Sequence, residues 1–193
     1  MPTPSPLILA SGSPYRRALL ERLGLPFEVV AAEIDEAVTE AEAPEAAAVR
    51  LAQDKAAAVA AAHPRATVIG SDQLVALGGE ILGKPGTAER ARAQLARYAG
   101  REVRFLTAVS VRRGEVEAHE LQTVRARFRA LDDEAIERYV EADRPLDCAG
   151  AIRSEGLGAA LLESVDSSDP AALVGLPLIT VARLLRRLGY RLP

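Results

Sequence analysis

Two short stretches hold the residues best suited to chemistry. The run Val68-Ile69-Gly70-Ser71-Asp72-Gln73 drives an apolar segment into a single carboxylate, Asp72. A little further on, Ile81-Leu82-Gly83-Lys84-Pro85 returns a lysine held between glycine and proline. Lysines are scarce enough to carry information. Of the 24 basic residues all but Lys55 and Lys84 are arginine, and the chain has no asparagine. A bias toward Ala, Arg and Pro accounts for the scarcity but not for which two lysines remain. A compact ammonium, unlike a planar guanidinium, is a point charge. Two retained lysines therefore read either as two such requirements or as chance survivors.

A third chemical stretch lies near the start. Leu7 to Ala10 reads as a short buried strand, followed by Ser11-Gly12-Ser13-Pro14-Tyr15-Arg16-Arg17. Ser13 is a good N-cap, Pro14 suits the first helical position, and Gly24 stops the helix. Free N–H groups at a helix start, with two hydroxyls and two arginines, suit phosphate. A plain capped helix with solvated arginines is the other reading. Glu33-Ile34-Asp35-Glu36 forms an acidic loop, either solvated or a source of oxygen ligands for Mg²⁺.

The remaining side chains narrow the options. His63 and His119 lack a zinc spacing, and His63 reads as a helix C-cap. No base is placed for a serine triad. Cys148 reads as a small buried residue. Carboxylates, lysines, hydroxyls and arginines on loops at strand ends remain, and in α/β sheets ligands bind outside those ends. Such an inventory suits phosphoanhydride hydrolysis, with cations neutralising phosphate and a carboxylate activating water.

The elements that must position these groups alternate. Strands are expected at Leu7–Ala10, Phe27–Val30, Thr67–Ile69, Leu74–Leu77, Glu80–Leu82, Val103–Val111, Val116–Phe128 and Ala159–Val165. Gly78-Gly79 marks a hairpin. Helices are expected after Ser13, from Pro44 to Pro64, from Thr87 to Tyr98, after Asp132 and after Pro177. The Pro44 helix has an apolar stripe of Val49, Ala52, Ala56 and Val59, with Lys55 at its border. A surface lysine whose stem covers apolar area is the simplest account of that position. Asp72 falls at the end of the Thr67 strand.

The chain has 193 residues, 49% hydrophobic and 26% charged, with net charge −3. That is one domain, 1–193, or two intimately packed lobes without a separable linker. Interspersed charge and 4% aromatic content argue against a nucleic-acid surface. No apolar run approaches the roughly 20 residues of a membrane span. Met1 to Pro6 lacks the features of a signal peptide, and a single cysteine fits a reducing compartment. A cytoplasmic protein without a membrane partner is expected.

The segments Leu9-Ala10-Ser11-Gly12-Ser13-Pro14-Tyr15-Arg16-Arg17, Asp35-Glu36, Leu51-Ala52-Gln53-Asp54-Lys55-Ala56, Gly70-Ser71-Asp72-Gln73, Gly83-Lys84-Pro85 and Gly175-Leu176-Pro177-Leu178 together resemble the Maf family of nucleoside triphosphate pyrophosphatases. The order and spacing match along nearly the whole chain. The resemblance implies an elongated α/β fold of Maf/ITPase-like architecture: a mixed β-sheet flanked by helices, with an active cleft at strand ends. It implies a hydrolase of phosphoanhydride bonds that splits a nucleotide between its α and β phosphates, with a divalent cation, Mg²⁺ or Mn²⁺, and allows a homodimer. Asp72 matches the family's proton acceptor. Arg16, Lys55 and Lys84 would hold phosphates, with Ser11 and Ser13 lining the cradle. Glu36 and Asp72 are the metal-side candidates.

Within the family, one branch resembles dTTP/UTP pyrophosphatases, with Arg after the Ser-Pro, Asp-Thr at the aspartate and Tyr-Gly-Ile-Gln. The other resembles 7-methyl-GTP pyrophosphatases, with an aromatic after the Ser-Pro, Ser-Asp-Gln and Lys-Ser-Glu-Gly. Tyr15, Ser71-Asp72-Gln73 and Arg153-Ser154-Glu155-Gly156 side with the second. N7-methylguanine is cationic, so an aromatic face at Tyr15 attracts it, and Glu155 accepts hydrogen bonds from its N–H edge. Gln73 would bond the base or orient the aspartate. Tyr15 stands where that branch typically carries Trp, a stronger cation–π partner. The expected function is removal of 7-methyl-GTP from the nucleotide pool. The competing readings are a dTTP/UTP pyrophosphatase and a non-catalytic regulator of cell division.

Overall fold

The computed structural model describes residues 5–39 and 41–193; most of the stretch Met1 to Pro6 thus lies outside the described residues. The fold is α/β. Strands β1 (Leu7–Ala10), β2 (Glu28–Val29), β3 (Thr67–Leu77), β4 (Glu80–Leu82), β5 (Glu102–Arg113), β6 (Val116–Phe128) and β7 (Leu162–Asp166) alternate with helices α1 (Pro14–Glu21), α2 (Pro44–Ala62), α3 (Ala88–Tyr98), α4 (Asp133–Asp143) and α5 (Leu178–Arg187). Hydrogen bonding orders the strands β2-β1-β3-β5-β6-β7, with β4 also on β3. The sheet is mixed: β1 is parallel to β2 and β3, whereas β3–β4 and β6–β7 are antiparallel.

The chain forms two compact units. One holds the residues through Asp72, Thr107–Gln122 and Asp169–Pro193; the other holds Gln73–Leu106 and Thr123–Ser168. In the first, β1 is buried on both faces, as a strand flanked by parallel neighbours should be. Leu7 and Leu9 join Leu19, Leu20, Ile69, Val181, Leu184 and Leu185 on one face. Ile8 and Ala10 join Ala56, Val59 and Val68 on the other. Helices α1 and α5 therefore cover one side of this strand and α2 the other. In the second unit, Gly78 and Gly79 take φ of 61° and 95° between β3 and β4, the backbone that a two-residue hairpin demands. Thr87 caps α3 and Asp132 caps α4 with their side-chain oxygens.

Several expectations need correction. The second strand is two residues rather than four. The last strand begins at Leu162, because Leu157–Leu161 winds into a 3₁₀ turn. Asp72 does not end a strand: Thr67–Leu77 is continuous, and Asp72 is its sixth residue. What does end there is the neighbour, since the register pairs Ala10, the last residue of β1, with Gly70. Asp72 thus lies two residues beyond the last β1 pairing, level with the turn into α1.

Gly70 explains the continuity. A Cβ on it would sit 2.2 Å from the Ala52 carbonyl oxygen and 2.6 Å from the Ala56 nitrogen. The glycine is there for the close approach of α2, not to break the strand. The buried face of α2 is accordingly Ala47, Ala48, Leu51, Ala52, Lys55, Ala56 and Val59. Val49 is only half-buried, and Lys55 lies inside the stripe rather than at its border.

Gly70→Ala is expected to destabilise the protein by about 1–3 kcal/mol or more in urea unfolding, because helix backbone cannot yield as a side chain can. Gly83→Ala, where an added Cβ meets nothing within 4 Å, should shift stability by no more than about 0.5 kcal/mol.

Candidate active site

The first unit gathers six of the expected residues: Ser11, Ser13, Arg16, Glu36, Lys55 and Asp72. Asp72 and Lys55 are 6% and 7% exposed. Lys55 Nζ lies 2.5 Å from Asp72 Oδ1 and 2.8 Å from Glu36 Oε1. One ammonium thus joins a carboxylate from β3 and one from the loop before α2. The Asp72–Lys55 contact is enclosed, while Glu36 is exposed and closes the pair from the solvent side. Burying a lysine strips its water, and two carboxylates compensate. Burial excludes the surface-lysine account of Lys55, and the phosphate contact that the family resemblance implies for it would have to come from an ammonium already shared by Asp72 and Glu36.

The turn between β1 and α1 supplies the second half. Ser13 Oγ accepts the Arg16 N–H at 3.4 Å, and Ser11 Oγ accepts the Ser13 N–H at 3.2 Å. The Arg16 side chain folds back over this turn, with Nη1 donating to Ser11 Oγ at 3.4 Å and Nε to the Gly175 carbonyl at 2.9 Å. Burial lowers the Arg16 guanidinium from its ordinary pKa, and the negative charges of Asp72 and Glu36 act in the opposite direction. The four charged groups, Arg16, Lys55, Glu36 and Asp72, consequently belong to one electrostatic neighbourhood.

Two contributors carried no role in the sequence reading. Ser71, fully buried, places its hydroxyl 2.8 Å from the Ala108 carbonyl and 3.1 Å from the Gly175 carbonyl. The Gly175 oxygen therefore receives both Ser71 and Arg16. Its residue sits at φ 121°, a backbone that favours glycine. A polar serine directly after the apolar run Val68-Ile69-Gly70 is the available signal for the first. For the second it is the Gly175-Leu176-Pro177-Leu178 motif.

The other expected residues lie in the second unit, apart from Tyr15, which is half-buried in the first turn of α1. Lys84 is exposed in a segment pinned on both sides: Gln94 Nε2 donates to the Gly83 carbonyl, and the Gly86 N–H donates to the Leu146 carbonyl, each at 2.9 Å. Pro85 between them is buried. Gln73 follows Asp72 on β3, so the two side chains leave opposite faces of the strand. Glu155 is exposed, with Ser154 Oγ 3.4 Å from its Oε2. Cys148 is buried, as expected.

The donors also bear on a divalent ion. Among the described residues no group of three or more His, Cys, Asp or Glu could hold a metal unaided. Glu36 and Asp72 do converge on a single cationic atom. Mg²⁺ bound through one or two carboxylates, with substrate phosphates and water completing its shell, needs no more protein than that. The donor chemistry therefore fits an ion that shares its ligands with a nucleotide.

A buried lysine–carboxylate floor beside a serine- and arginine-lined turn, set on an α/β sheet, is chemistry that suits a phosphate group. The model of the family described as "Maf-like protein" matches residues 6–188, and the chain belongs to that family. It is 54% identical over 187 residues to a 7-methyl-GTP pyrophosphatase of Xanthomonas axonopodis pv. citri, covering 97% of this chain and 98% of the relative. It is 54% identical to the protein of the same name from Aromatoleum aromaticum, covering 98% of each. The Ralstonia nicotianae protein of that name is 53% identical, covering 97% of each. No helix among the described residues is long and apolar enough to cross a membrane.

Lys55→Met should cost about 3–5 kcal/mol in chemical denaturation, since it leaves the Asp72 carboxylate buried without its ammonium. The double variant Lys55→Met/Asp72→Asn should recover part of that loss, a coupling that a double-mutant cycle reads directly.

Proposed function

We propose that this protein is a nucleoside triphosphate pyrophosphatase that hydrolyses 7-methyl-GTP to 7-methyl-GMP and pyrophosphate, clearing a modified nucleotide from the cytoplasmic pool. The observation that carries the reading is the shared ammonium: Lys55 Nζ between Asp72 and Glu36, next to a turn whose hydroxyls and arginine suit phosphate. The names of the relatives at 53–54% identity support the substrate.

In this mechanism Asp72 is the proton acceptor. Lys55 holds Oδ1 and so fixes the direction of Oδ2, which takes a proton from the attacking water. The water oxygen bonds to the α-phosphorus, the bond from that phosphorus to the bridging oxygen breaks, and pyrophosphate leaves. Lys55 sets the orientation of the carboxylate, a positioning that contributes as much through geometry as through charge. Arg16, braced through Nε and Nη1, offers the rest of its fork to phosphate oxygens. Ser11 and Ser13 keep the turn in shape beneath it. A divalent ion held by Glu36 and Asp72, when bound with the nucleotide, would supply charge neutralisation. Lys84 would add a further phosphate contact. Tyr15, Gln73 and Glu155 would choose the base: an aromatic face and a carboxylate both favour a cationic purine.

With Mg²⁺ or Mn²⁺ present, the purified protein should release pyrophosphate from 7-methyl-GTP faster than from GTP, dTTP or UTP. Asp72→Asn should lower kcat by about 10²–10⁴-fold, with circular dichroism showing an intact fold. A preference for UTP would replace this substrate by that of the dTTP/UTP branch. Absence of pyrophosphate from every nucleotide would favour a non-catalytic regulator.

A further inference from the structure

Glu155 stands on a turn that the second unit holds from several directions, all of them through Arg153. The Arg153 backbone N–H donates to the Tyr139 hydroxyl on α4 at 2.8 Å. Its Nη1 donates to Asp143 Oδ1 at 3.1 Å, at the last residue of the same helix. Its carbonyl accepts two N–H groups, from Gly156 and Gly158, each at 3.1 Å. One residue therefore closes the turn on itself and ties it to α4.

The local sequence is fitted to that closure. A Cβ on Gly158 would lie 2.5 Å from the Arg153 carbonyl oxygen, and one on Gly156 would lie 3.3 Å from Arg153 Cδ and 3.4 Å from the Asp143 carboxylate. Helix α4 stops at Asp143 because Arg144 turns left-handed, at φ 44°; the carboxylate thus stands at the helix end. Tyr139 is buried and Asp143 nearly so, while Glu155 at the tip is exposed. Burial, the largest cause, raises the pKa of the Tyr139 hydroxyl. The Arg153 N–H acts against that shift, and nearby Asp143 adds to it. The hydroxyl stays protonated and serves the turn as a neutral acceptor.

The turn is closed by its own amides, and the anchor to α4 holds that closure against opening. Anchoring it to a helix by a partly buried arginine, and again by a tyrosine hydroxyl, restricts where its tip points. Recognition by an exposed carboxylate depends on that restriction, because a loosely held group loses orientation before it forms its bonds. We infer that Asp143 and Tyr139 are positioning residues for base selection, holding the Arg153–Gly158 turn so that Glu155 meets in one orientation an N–H edge that neutral guanine also carries but that the positive charge of an N7-methylated purine turns into a stronger donor. The inference rests on the proposed role of Glu155 in choosing the base.

The test uses the full-length protein with Mg²⁺, in wild-type form and as Asp143→Asn and Tyr139→Phe. Initial rates are measured on 7-methyl-GTP and GTP, and amide exchange at Gly156 and Gly158 is followed without nucleotide. Both variants should exchange these amides faster. In both, the ratio of kcat/KM for 7-methyl-GTP over GTP should fall about tenfold, with the loss in the KM for 7-methyl-GTP rather than in kcat. A fold defect would instead lower kcat on both nucleotides alike, and that outcome overturns the inference. So does unchanged exchange, or faster exchange with the ratio intact. A wild-type enzyme with no preference for 7-methyl-GTP overturns the substrate reading and this inference with it; a wild-type preference that survives both substitutions overturns the inference alone.

Discussion

A buried ammonium is stable only when other groups replace the water it has lost, and in this protein the replacement comes from two parts of the chain at once. Lys55 meets Asp72 from β3 and Glu36 from the preceding loop. The Asp72 contact cannot form unless α2 comes down onto β3, and that approach is possible because Gly70 has no side chain and Ala52 and Ala56 have almost none. The alanine content of α2 is thus part of the site. Larger residues would bury more apolar surface, but they would lift the lysine away from its partners. Packing and chemistry in the first unit answer to one distance, the separation of a helix backbone from a strand backbone.

A similar economy runs through the loops. Main-chain carbonyls do much of the placing: Gly175 receives Arg16 and Ser71, Gly83 receives Gln94, and Arg153 receives the amides of its own turn. Each involves a glycine as donor, acceptor or host of the acceptor. Where a functional side chain must be held without a second side chain crowding it, a carbonyl on a bare backbone is the smallest available partner.

What the sequence disclosed and what it withheld divide along the same line. Features set by neighbouring residues were legible: the Ser13-Pro14 helix start, the Gly78-Gly79 hairpin, the caps at Thr87 and Asp132, the order of the strands and helices, and the family motifs. Features set by distant residues were not. Lys55 sits at helical spacing beside an apolar stripe, which fits a snorkelling surface lysine equally well; what buries it are carboxylates 17 and 19 residues away. Nothing local to Gly70 and Ser71 signals that the glycine answers to α2 and the serine to carbonyls on β5 and before α5. Glu36 in an acidic loop carried no local sign of its lysine. Ala159–Val165 is apolar enough to read as one strand, yet Leu157–Leu161 is a 3₁₀ segment and β7 starts only at Leu162.

The Gly175 carbonyl has a consequence for how such a site is mapped. A scan that trims side chains one by one would register Arg16 and Ser71 and treat them as separate findings. It would pass over the oxygen that both of them share, because that atom belongs to the main chain of a residue with no side chain to trim. A substitution at 175 would report the strain of a backbone at φ 121° rather than the loss of an acceptor. The joint between the two residues is chemically specific and genetically silent, and it becomes visible only when hydrogen-bond acceptors are counted as well as side chains.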